Sequence, residues 1–535
     1  YHHGFPVEAI RQAVAGRDVV TAARVLGESW LDLVLRGESA ELRSLLALFD
    51  ESQHEEHSEL AVACSFIQLQ ERDLERASGC AARAAVLSST LPADRLLAVD
   101  IMSEAIRLHV ATMTGQEAED AYSSALLLLQ QLHGDRARLT TAQKRRRALL
   151  LYHVSAYEVS RWLYQEPKAH LQDVVTAAGT LGMTHLVLRA RAQLAFIDFF
   201  SGRLCSAQET AQEIIDAAER HGWRSHHSVA TAHHVLGGVD IFRGDLDAGL
   251  HRLVEAREFV HPVDEVNLFR IGFTTLIGLR AKGAVRAARE EFEHLQTQYQ
   301  QWKAPPRWAE MLMLVTEAEQ LALEGHTERA LELLGSVRED EVHPVPRRHR
   351  QVFHAQLLLR SGMPAEARTA LQPIIQSHER WLIDIRALVV DALAAEALCR
   401  HEESLQALSR AVERAAVEQV REPFLVSGPQ ARPLLQELLN RGTPHEAEVL
   451  NLLSRLTPTH RRERGSGLPV FVEPLTAREL EVLRLLQGTA SNEQIANRLF
   501  ISLNTLRTHT KHIHRKLGAT SRWEAVQRGR ALGIL

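Results

Sequence analysis

The chain has 535 residues, of which 45% are hydrophobic and 24% are charged, so it can bury more than one sizeable core. Its four cysteines lack the paired spacings of a disulfide framework or a zinc site. No apolar run approaches membrane-spanning length, and no signal-peptide pattern opens the sequence. These features predict a cytoplasmic protein that binds neither a membrane nor a metal.

The net charge of −5 conceals an asymmetry along the chain. Residues 454–535 contain 14 Lys and Arg against 6 Asp and Glu, which gives this tail a net charge of +8 and leaves −13 for the rest. A basic tail on an acidic body is expected where only the tail contacts nucleic acid.

Residues 1–456 carry a repeated helical pattern. Apolar residues recur at three- and four-residue spacing, which predicts helix after helix. Similar turn-then-helix phrases centre on five glycines at steps of 42, 39, 42 and 37 residues, and a sixth phrase follows 39 residues later at His401. This period predicts a tetratricopeptide-like superhelix of helix pairs that contact only their neighbours and leave a concave face free. The glycines are Gly202, Gly244, Gly283, Gly325 and Gly362.

One aromatic stretch in this region, LYHVSAYEVSRWLYQ at residues 151–165, is the best candidate for an effector site. Helical spacing places Tyr157, Arg161 and Tyr164 on one side, where they suit a small polar ligand. Aromatic residues at this spacing are more often part of the core, so both interpretations stay open.

Two clusters of charged or polar residues have simpler explanations than a site. The cationic run at residues 144–147 is interpreted as a solvated helix start, with binding of nucleic acid or a partner as the alternative. Histidine pairs at 226–227 and 233–234 lie seven residues apart, about 10 Å along a helix, too far for a chelating pair. No spacing indicates a catalytic arrangement, so we expect no enzymatic activity in this chain.

Residues 457–473 are rich in Pro, Gly, Ser and Arg without periodicity, which predicts a flexible linker. Residues 474–535 then form a series of capped helices. Two capping boxes are expected for the first two helices, a single serine cap for the third and another box for a fourth. Two short helices before a longer basic one indicate a helix-turn-helix. The capping residues are Thr476 with Glu479, Ser491 with Gln494, Ser502, and Ser521 with Glu524.

The third of these helices has two distinct faces. At roughly 100° per residue, one narrow stripe is apolar and should be buried, while the opposite side is polar or basic and has no carboxylate. Such a side suits phosphates and base edges better than a mixed-sign solvated face does. The buried stripe is Leu506, Thr510, Ile513 and Leu517; the polar side is Asn504, Thr508, Lys511 and Arg515, with Arg507 on its flank.

These residues resemble the LuxR-type helix-turn-helix domain. The resemblance rests on LTARELEVLRLL (475–486), SNEQIANRLFIS (491–502) and TLRTHTKHIHRKLG (505–518). It implies a four-helix domain that binds double-stranded DNA. The DNA-facing residues are then Arg507, Thr508 and Lys511 at base edges, Asn504, Thr505 and Arg515 beside them, and Asn492 at phosphate.

The resemblance also implies that two copies pair on DNA through the fourth helix. Trp523, Val526 and Arg530 suit that contact, although Val526 equally suits the core of its own domain. We therefore expect a homodimer or higher oligomer on DNA.

Two further phrases resemble the MalT-like regulators, which combine a STAND-class ATPase, a helical-repeat sensor and a terminal LuxR-type domain. They are VEAIRQAVAGRDVVTAARVL (7–26) and PFLVSGPQARPLLQELL (423–439). The chain has no G-x-x-x-x-G-K-[ST] loop, so we expect the C-terminal portion of a longer protein, with any ATP site in the missing module.

Taken together, these patterns predict an all-α transcriptional regulator, an activator, whose repeats sense an unknown small molecule or protein. The alternative is a repeat scaffold for protein partners whose tail serves mainly for dimerisation. Salt-dependent DNA binding separates the two.

Overall fold

The structure is a computed structural model. It describes residues 5–35, 38–71, 73–114, 118–134, 139–161, 165–223, 227–260, 264–302, 305–335, 344–377, 382–456, 477–487, 492–499, 501–517, 519, 522 and 525–526. Over these residues the chain is all-α, as predicted. It forms two compact units, which we call the repeat unit and the tail unit, with the boundary between residues 457 and 458.

The repeat unit begins with ten helices that pack mainly on their sequence neighbours. They are α1 (Pro6–Ala15), α2 (Val19–Leu35), α3 (Ser39–Leu46), α4 (Glu51–Glu56), α5 (Ser58–Gln70), α6 (Leu74–Leu87), α7 (Ala93–Thr114), α8 (Ala118–Gly134), α9 (Thr141–Ser160) and α10 (Gln165–Thr180), with a short 3-10 helix at Ser88–Thr90.

Six helix pairs and three shorter helices complete the repeat unit. The pairs are α11 (Thr184–Phe200) with α12 (Leu204–His221), α13 (His227–Arg243) with α14 (Leu246–Phe259), α15 (Glu265–Lys282) with α16 (Val285–Gln301), α17 (Arg307–Leu323) with α18 (Thr327–Gly335), α19 (Pro344–Arg360) with α20 (Pro364–Ile375), and α21 (Ile383–Ala397) with α22 (His401–Glu418). After them come α23 (Glu422–Ser427), a 3-10 helix at Gly428–Gln430, α24 (Ala431–Asn440) and α25 (Glu446–Arg455).

The turn inside each pair has the left-handed residue that the glycine pattern predicts. All five glycines have φ between 75° and 91°. The backbone N–H of the residue after the glycine often closes the turn, as when Arg203 donates to the Asp198 carbonyl at 2.9 Å. In the sixth pair the left-handed residue is Cys399, with φ of 61°, so the turn lies two residues before the predicted His401.

Ion pairs about one repeat apart hold successive pairs together. Arg348 binds Asp384 at 3.0 Å, 36 residues away, and both side chains are buried. Arg386 binds Glu422 at the same separation. Both separations are close to the sequence period, because each arginine and its carboxylate lie near the starts of their helices.

The prediction that the repeats contact only their neighbours is wrong. The Arg421 backbone N–H donates to the Phe242 carbonyl at 2.7 Å, and the Arg455 guanidinium donates to the Gly244 carbonyl at 3.0 Å. Helix α23 also packs on α13 and α15. Each pair turns slightly relative to the one before it, so after several pairs the end of the unit meets its middle.

The cationic run at residues 144–147 is not a solvated helix start. Arg146 is 5% exposed, and its guanidinium donates to the Gly27 carbonyl of α2 at 3.0 Å. Arg145 pairs with Asp32 of α2 at 2.6 Å. The run therefore fastens α9 to α2, because main-chain carbonyls and a carboxylate of α2 lie within reach of the long side chains.

The tail unit contains three described helices: α26 (Ala477–Leu486), α27 (Asn492–Arg498) and α28 (Leu503–Leu517). Across the described parts of the chain, no helix is both long and apolar enough to span a membrane. The predicted linker at 457–473 lies outside the described residues.

Candidate nucleic-acid interface

Helix α28 is seated on a small core in the tail unit. Leu506 and Ile513 are 1% and 0% exposed and pack with Val482 and Leu486 of α26 and Ile495 of α27. Thr510 of the predicted stripe is half-buried, and the side chain of Leu517 lies outside the described set. The apolar stripe thus fixes which side of α28 points outward.

The outward side of α28 carries exposed side chains that we call the reading face: Thr505, Arg507, Thr508 and Lys511. The helix has no acidic residue, so this face combines two cations with two hydroxyls. Hydroxyl and cationic donors are the groups that contact phosphates and base edges. The side chains of Asn504 and Arg515, predicted for the same surface, lie outside the described set. Asn492, predicted to meet phosphate, is exposed at the start of α27.

The start of α28 is capped as its sequence suggests. The Ser502 hydroxyl accepts a hydrogen bond from the Thr505 backbone N–H at 3.0 Å. This bond satisfies one of the free donors in the first helical turn, at the edge of the reading face. The other predicted capping residues, Thr476, Ser491 and Ser521, lie outside the part of the chain that the structure describes.

A buried ion pair joins α26 to α28. Glu479 is 3% exposed, and its carboxylate binds the Lys516 ammonium at 2.7 Å. The His512 ring lies 3.8 Å from the other carboxylate oxygen. Sequence reasoning assigned Glu479 only to a capping box and did not single out Lys516. The 37-residue separation between them gives no local signal in the sequence.

Two more arginines hold the helix ends of the tail unit. Arg478 donates to the Leu499 carbonyl at 2.5 Å, and Arg522 donates to the Leu486 carbonyl at 2.9 Å. Carbonyls at helix ends have no partner within the helix, so these contacts satisfy them. Sequence reasoning missed both roles because the basic tail was interpreted mainly as a DNA-facing charge.

Of the residues predicted to pair two copies through the fourth helix, the structure describes only Val526. Val526 is 7% exposed and packs in the tail-unit core, as the alternative interpretation of that residue suggested. Trp523 and Arg530 lie outside the described residues. Pairing through the fourth helix stays a prediction.

Of the three residues predicted for an effector site, the structure places one in the core and one at the surface. Tyr157 is 4% exposed, its ring lies 4.9 Å from that of Tyr122, and burial raises the pKa of Tyr157 to about 12. Arg161 is exposed, donates to the Tyr157 hydroxyl at 3.0 Å and pairs with Glu119. Tyr164 lies outside the described residues. An effector site at these three residues is untested.

The two histidines at 233–234 have different environments. His234 is buried, and its ring lies 3.0 Å from the Thr274 hydroxyl. Burial, with Arg270 nearby, lowers the pKa of His234 to about 3. His233 lies 3.0 Å from the Glu255 carboxylate. Adjacent histidines therefore point to different partners. His226 lies outside the described residues.

Comparison with known proteins matches the tail to a family. Residues 473–528 match "Bacterial regulatory proteins, luxR family", which covers all three described tail-unit helices and the reading face.

Similarity also extends beyond this domain. The chain is 26% identical over 367 residues to the "HTH-type transcriptional regulator MalT" of Vibrio cholerae, covering 64% of this chain and 35% of that protein. It is 30% identical over 127 residues to the protein of the same name from Yersinia pestis, and this match covers 20% of this chain and 14% of that protein. The chain thus spans about a third or less of the length of these relatives.

Among solved structures, the chain is similar to "Crystal structure of APC/C hetero-tetramer Cut9-Hcn1" at 14% identity, with a TM-score of 0.34. The match covers 84% of this chain and 95% of the chain in that structure. A TM-score of this size does not establish a shared fold. The comparisons thus match residues 473–528 to the luxR family, and they show similarity to MalT proteins over a longer part of the chain.

Proposed function

We propose that this chain is a DNA-binding transcriptional regulator, an activator, that reads the major groove with α28. The observation that carries the proposal is the reading face: Arg507, Lys511 and two threonines are exposed, while Leu506 and Ile513 anchor the opposite side. A helix seated on its own small core and carrying donors outward has the form of a recognition helix.

Within this proposal, Arg507, Thr508 and Lys511 contact base edges, and Thr505, Asn504 and Arg515 lie beside them. Asn492 binds phosphate next to the N-terminus of α27, where free N–H groups attract anions. The proposed partner is double-stranded DNA, bound by a homodimer or higher oligomer. Because the matched family is bacterial and bacterial DNA lies in the cytoplasm, we propose that the protein acts there.

The repeat unit is proposed to sense an effector, either a small molecule or a protein, and to have no catalytic role. Its similarity to MalT regulators over 367 residues supports this assignment. We assign no ATP site to this chain, because its sequence contains no G-x-x-x-x-G-K-[ST] loop. We therefore expect the chain to bind DNA without nucleotide.

The test is a fluorescence anisotropy titration of the whole chain against labelled duplex DNA at several salt concentrations, with and without ATP. We expect binding to weaken as the salt concentration rises, because the protein's cationic side chains displace counterions from the DNA phosphates. We expect ATP to leave the affinity unchanged. A chain that binds no duplex at low salt is instead a protein-interaction scaffold. A requirement for ATP would show that the nucleotide site has been assigned to the wrong part of the protein.

A further inference from the structure

Two cysteines of the repeat unit lie next to each other across two packed helices. Cys64 is on α5 and Cys80 is on α6, sixteen residues apart in the sequence. A short connection makes these helices antiparallel neighbours, and they pack directly on each other. The two thiols lie within hydrogen-bonding reach of each other, and both side chains are half-buried. The fold thus brings together two thiols that the sequence keeps apart.

The helix backbones approach closely at the level of these thiols. The Ser65 hydroxyl, next to Cys64, donates to the Ala77 carbonyl at 2.5 Å, about one turn before Cys80. Ala77 and Ala81, which flank Cys80 on α6, are fully buried. A disulfide between neighbouring helices requires such close packing, because its geometry tolerates only a short separation of the two backbones.

The two thiols differ in acidity. Hydrogen bonding with Cys64 lowers the pKa of Cys80, against the effect of burial, and Arg83 and Arg76 nearby lower it further. The same hydrogen bonding, together with burial, raises the pKa of Cys64. Since the thiolate is the reactive form of cysteine, Cys80 is the nucleophile of the pair and Cys64 is a second thiol within its reach.

Cys205 shows that these properties are not shared by every thiol of the chain. Its side chain is exposed, yet burial of the sulfur and hydrogen bonding with Glu418 raise its pKa. This happens although the Arg243 guanidinium donates to the sulfur at 3.2 Å. The more accessible sulfur is therefore the less acidic one, and Cys205 serves as an internal reference for Cys80.

A metal site is the alternative use of two neighbouring thiols. A structural zinc ion takes four ligands. Among the residues that the structure describes, no group of three or more His, Cys, Asp and Glu side chains is arranged to hold a metal ion. The pair is therefore better suited to chemistry between its own two sulfurs.

We propose that Cys64 and Cys80 form a reversible disulfide when hydrogen peroxide oxidises the chain. The Cys80 thiolate attacks one peroxide oxygen, the O–O bond breaks, and the hydroxide that leaves takes up the proton that Cys80 lost. The Cys64 sulfur then attacks the sulfenic acid formed at Cys80, the S–O bond breaks, and the hydroxyl leaves as water with the Cys64 proton. The two thiols lose two electrons, the peroxide gains them, and a dithiol reductant reverses the change.

This modification does not depend on the proposed function. Transient disulfides of this kind act as redox sensors in cytosolic proteins. The bond would join α5 covalently to α6, and these helices also pack on α2 and α7. The disulfide therefore fixes the first part of the repeat unit.

The first experiment looks for the bond in the whole chain. The reduced protein is treated with hydrogen peroxide and digested with trypsin, which releases Cys64 in peptide 44–72 and Cys80 in peptide 77–83. We expect the two peptides to be linked and to separate after dithiothreitol. The chain unfolded in urea should form the link at least about tenfold more slowly, because the fold holds the thiols together. No link in the folded chain, or equal rates in both states, overturns the proposal.

The second experiment assigns the roles of the two sulfurs with dimedone, which traps sulfenic acids. Cys64→Ser leaves Cys80 without its second thiol, so the Cys80 sulfenic acid should be trapped. Cys80→Ser should be labelled at Cys64 at least about tenfold less, because the remaining thiol has a raised pKa. Cys205→Ser is the control and should form the Cys64–Cys80 link at the unaltered rate.

Equal dimedone labelling of Cys64→Ser and Cys80→Ser would contradict the assignment of Cys80 as the nucleophile. Peroxide that modifies Cys205 faster than Cys80 in the unaltered chain would contradict it as well. Should a serine variant fail to fold by circular dichroism, the rates of peptide linkage in the folded and unfolded unaltered chain decide the proposal.

Discussion

Cationic side chains have opposite surroundings in the two units. In the repeat unit, Arg348 and Arg386 are largely buried and bind carboxylates one repeat away. In the tail unit, Arg507 and Lys511 are exposed on a helix without carboxylates. The first arrangement holds helices together, whereas the second leaves charge available for a ligand.

Burial and partners, more than residue type, therefore decide what a cation does. The tail unit itself shows this, because Lys516 is 11% exposed and paired with Glu479, while Lys511 is exposed five residues earlier in the same helix. Substitutions of paired and exposed cations should separate loss of stability from loss of DNA binding.

The largest effect is expected from Arg386→Met in the repeat unit. It leaves Glu422 buried without its partner, so the free energy of unfolding should fall by about 3–5 kcal/mol in urea titrations followed by circular dichroism. Arg386→Met/Glu422→Met should recover most of this loss. Arg441→Met removes an exposed arginine that pairs with Glu402 and should change stability little. Equal losses for Arg386→Met and Arg441→Met would refute the stabilising role of the buried pair.

The same variant has a predictable pH dependence. Burial raises the pKa of Glu422 in the folded state above its unfolded value. The folded state then holds the Glu422 proton more strongly, so stability falls as pH rises through the unfolded value toward the folded one. The loss caused by Arg386→Met should therefore shrink at low pH, in urea titrations repeated across the acidic range.

A smaller loss of stability is expected from Lys516→Met in the tail unit. Glu479 loses its buried partner but keeps His512 nearby, so α26 and α28 should be destabilised by about 2–3 kcal/mol. Hydrogen–deuterium exchange of peptides from these helices measures the change in the whole chain. Lys511→Met is the matched control and should leave exchange unchanged. The assignment fails if both variants exchange alike.

Lys511→Ala should instead weaken DNA binding by about 1–3 kcal/mol without changing stability, because Lys511 is exposed. Anisotropy on a preferred duplex measures the affinity. Arg484→Ala removes the same charge from an exposed position on α26 and should have a smaller effect. Unchanged affinity in Lys511→Ala would remove this residue from the interface.

The smallest effect is expected at the helix cap. Ser502→Ala removes the acceptor for the Thr505 N–H and should destabilise α28 by about 1 kcal/mol, seen as faster exchange of its first turn. Ser502→Asn keeps a capping oxygen and should exchange like the unaltered chain. Faster exchange in both variants would mean that the cap is not the cause.

Local patterns allowed much of the fold to be predicted from the sequence. The glycine turns, the serine cap of α28 and the burial of Leu506 and Ile513 all depend on residues within a few positions of one another. The spacing of apolar residues and the presence of capping residues are enough to predict these local features.

Contacts between distant residues could not be predicted in this way. The Glu479–Lys516 pair, the Arg421 contact with Phe242 and the burial of Arg146 join positions between 37 and 179 residues apart. Nothing in a single sequence distinguishes an arginine that reaches a distant carbonyl from one that faces solvent.

The most direct test of the reading face is selection of duplexes from a random library by the whole chain, compared with Arg507→Ala/Lys511→Ala. The unaltered chain should enrich a defined sequence. The double variant, with unchanged hydrogen exchange in α26 and α28, should enrich no sequence or a relaxed one, because these side chains are proposed to contact base edges. Enrichment of the same sequence with equal strength by both proteins would contradict the account.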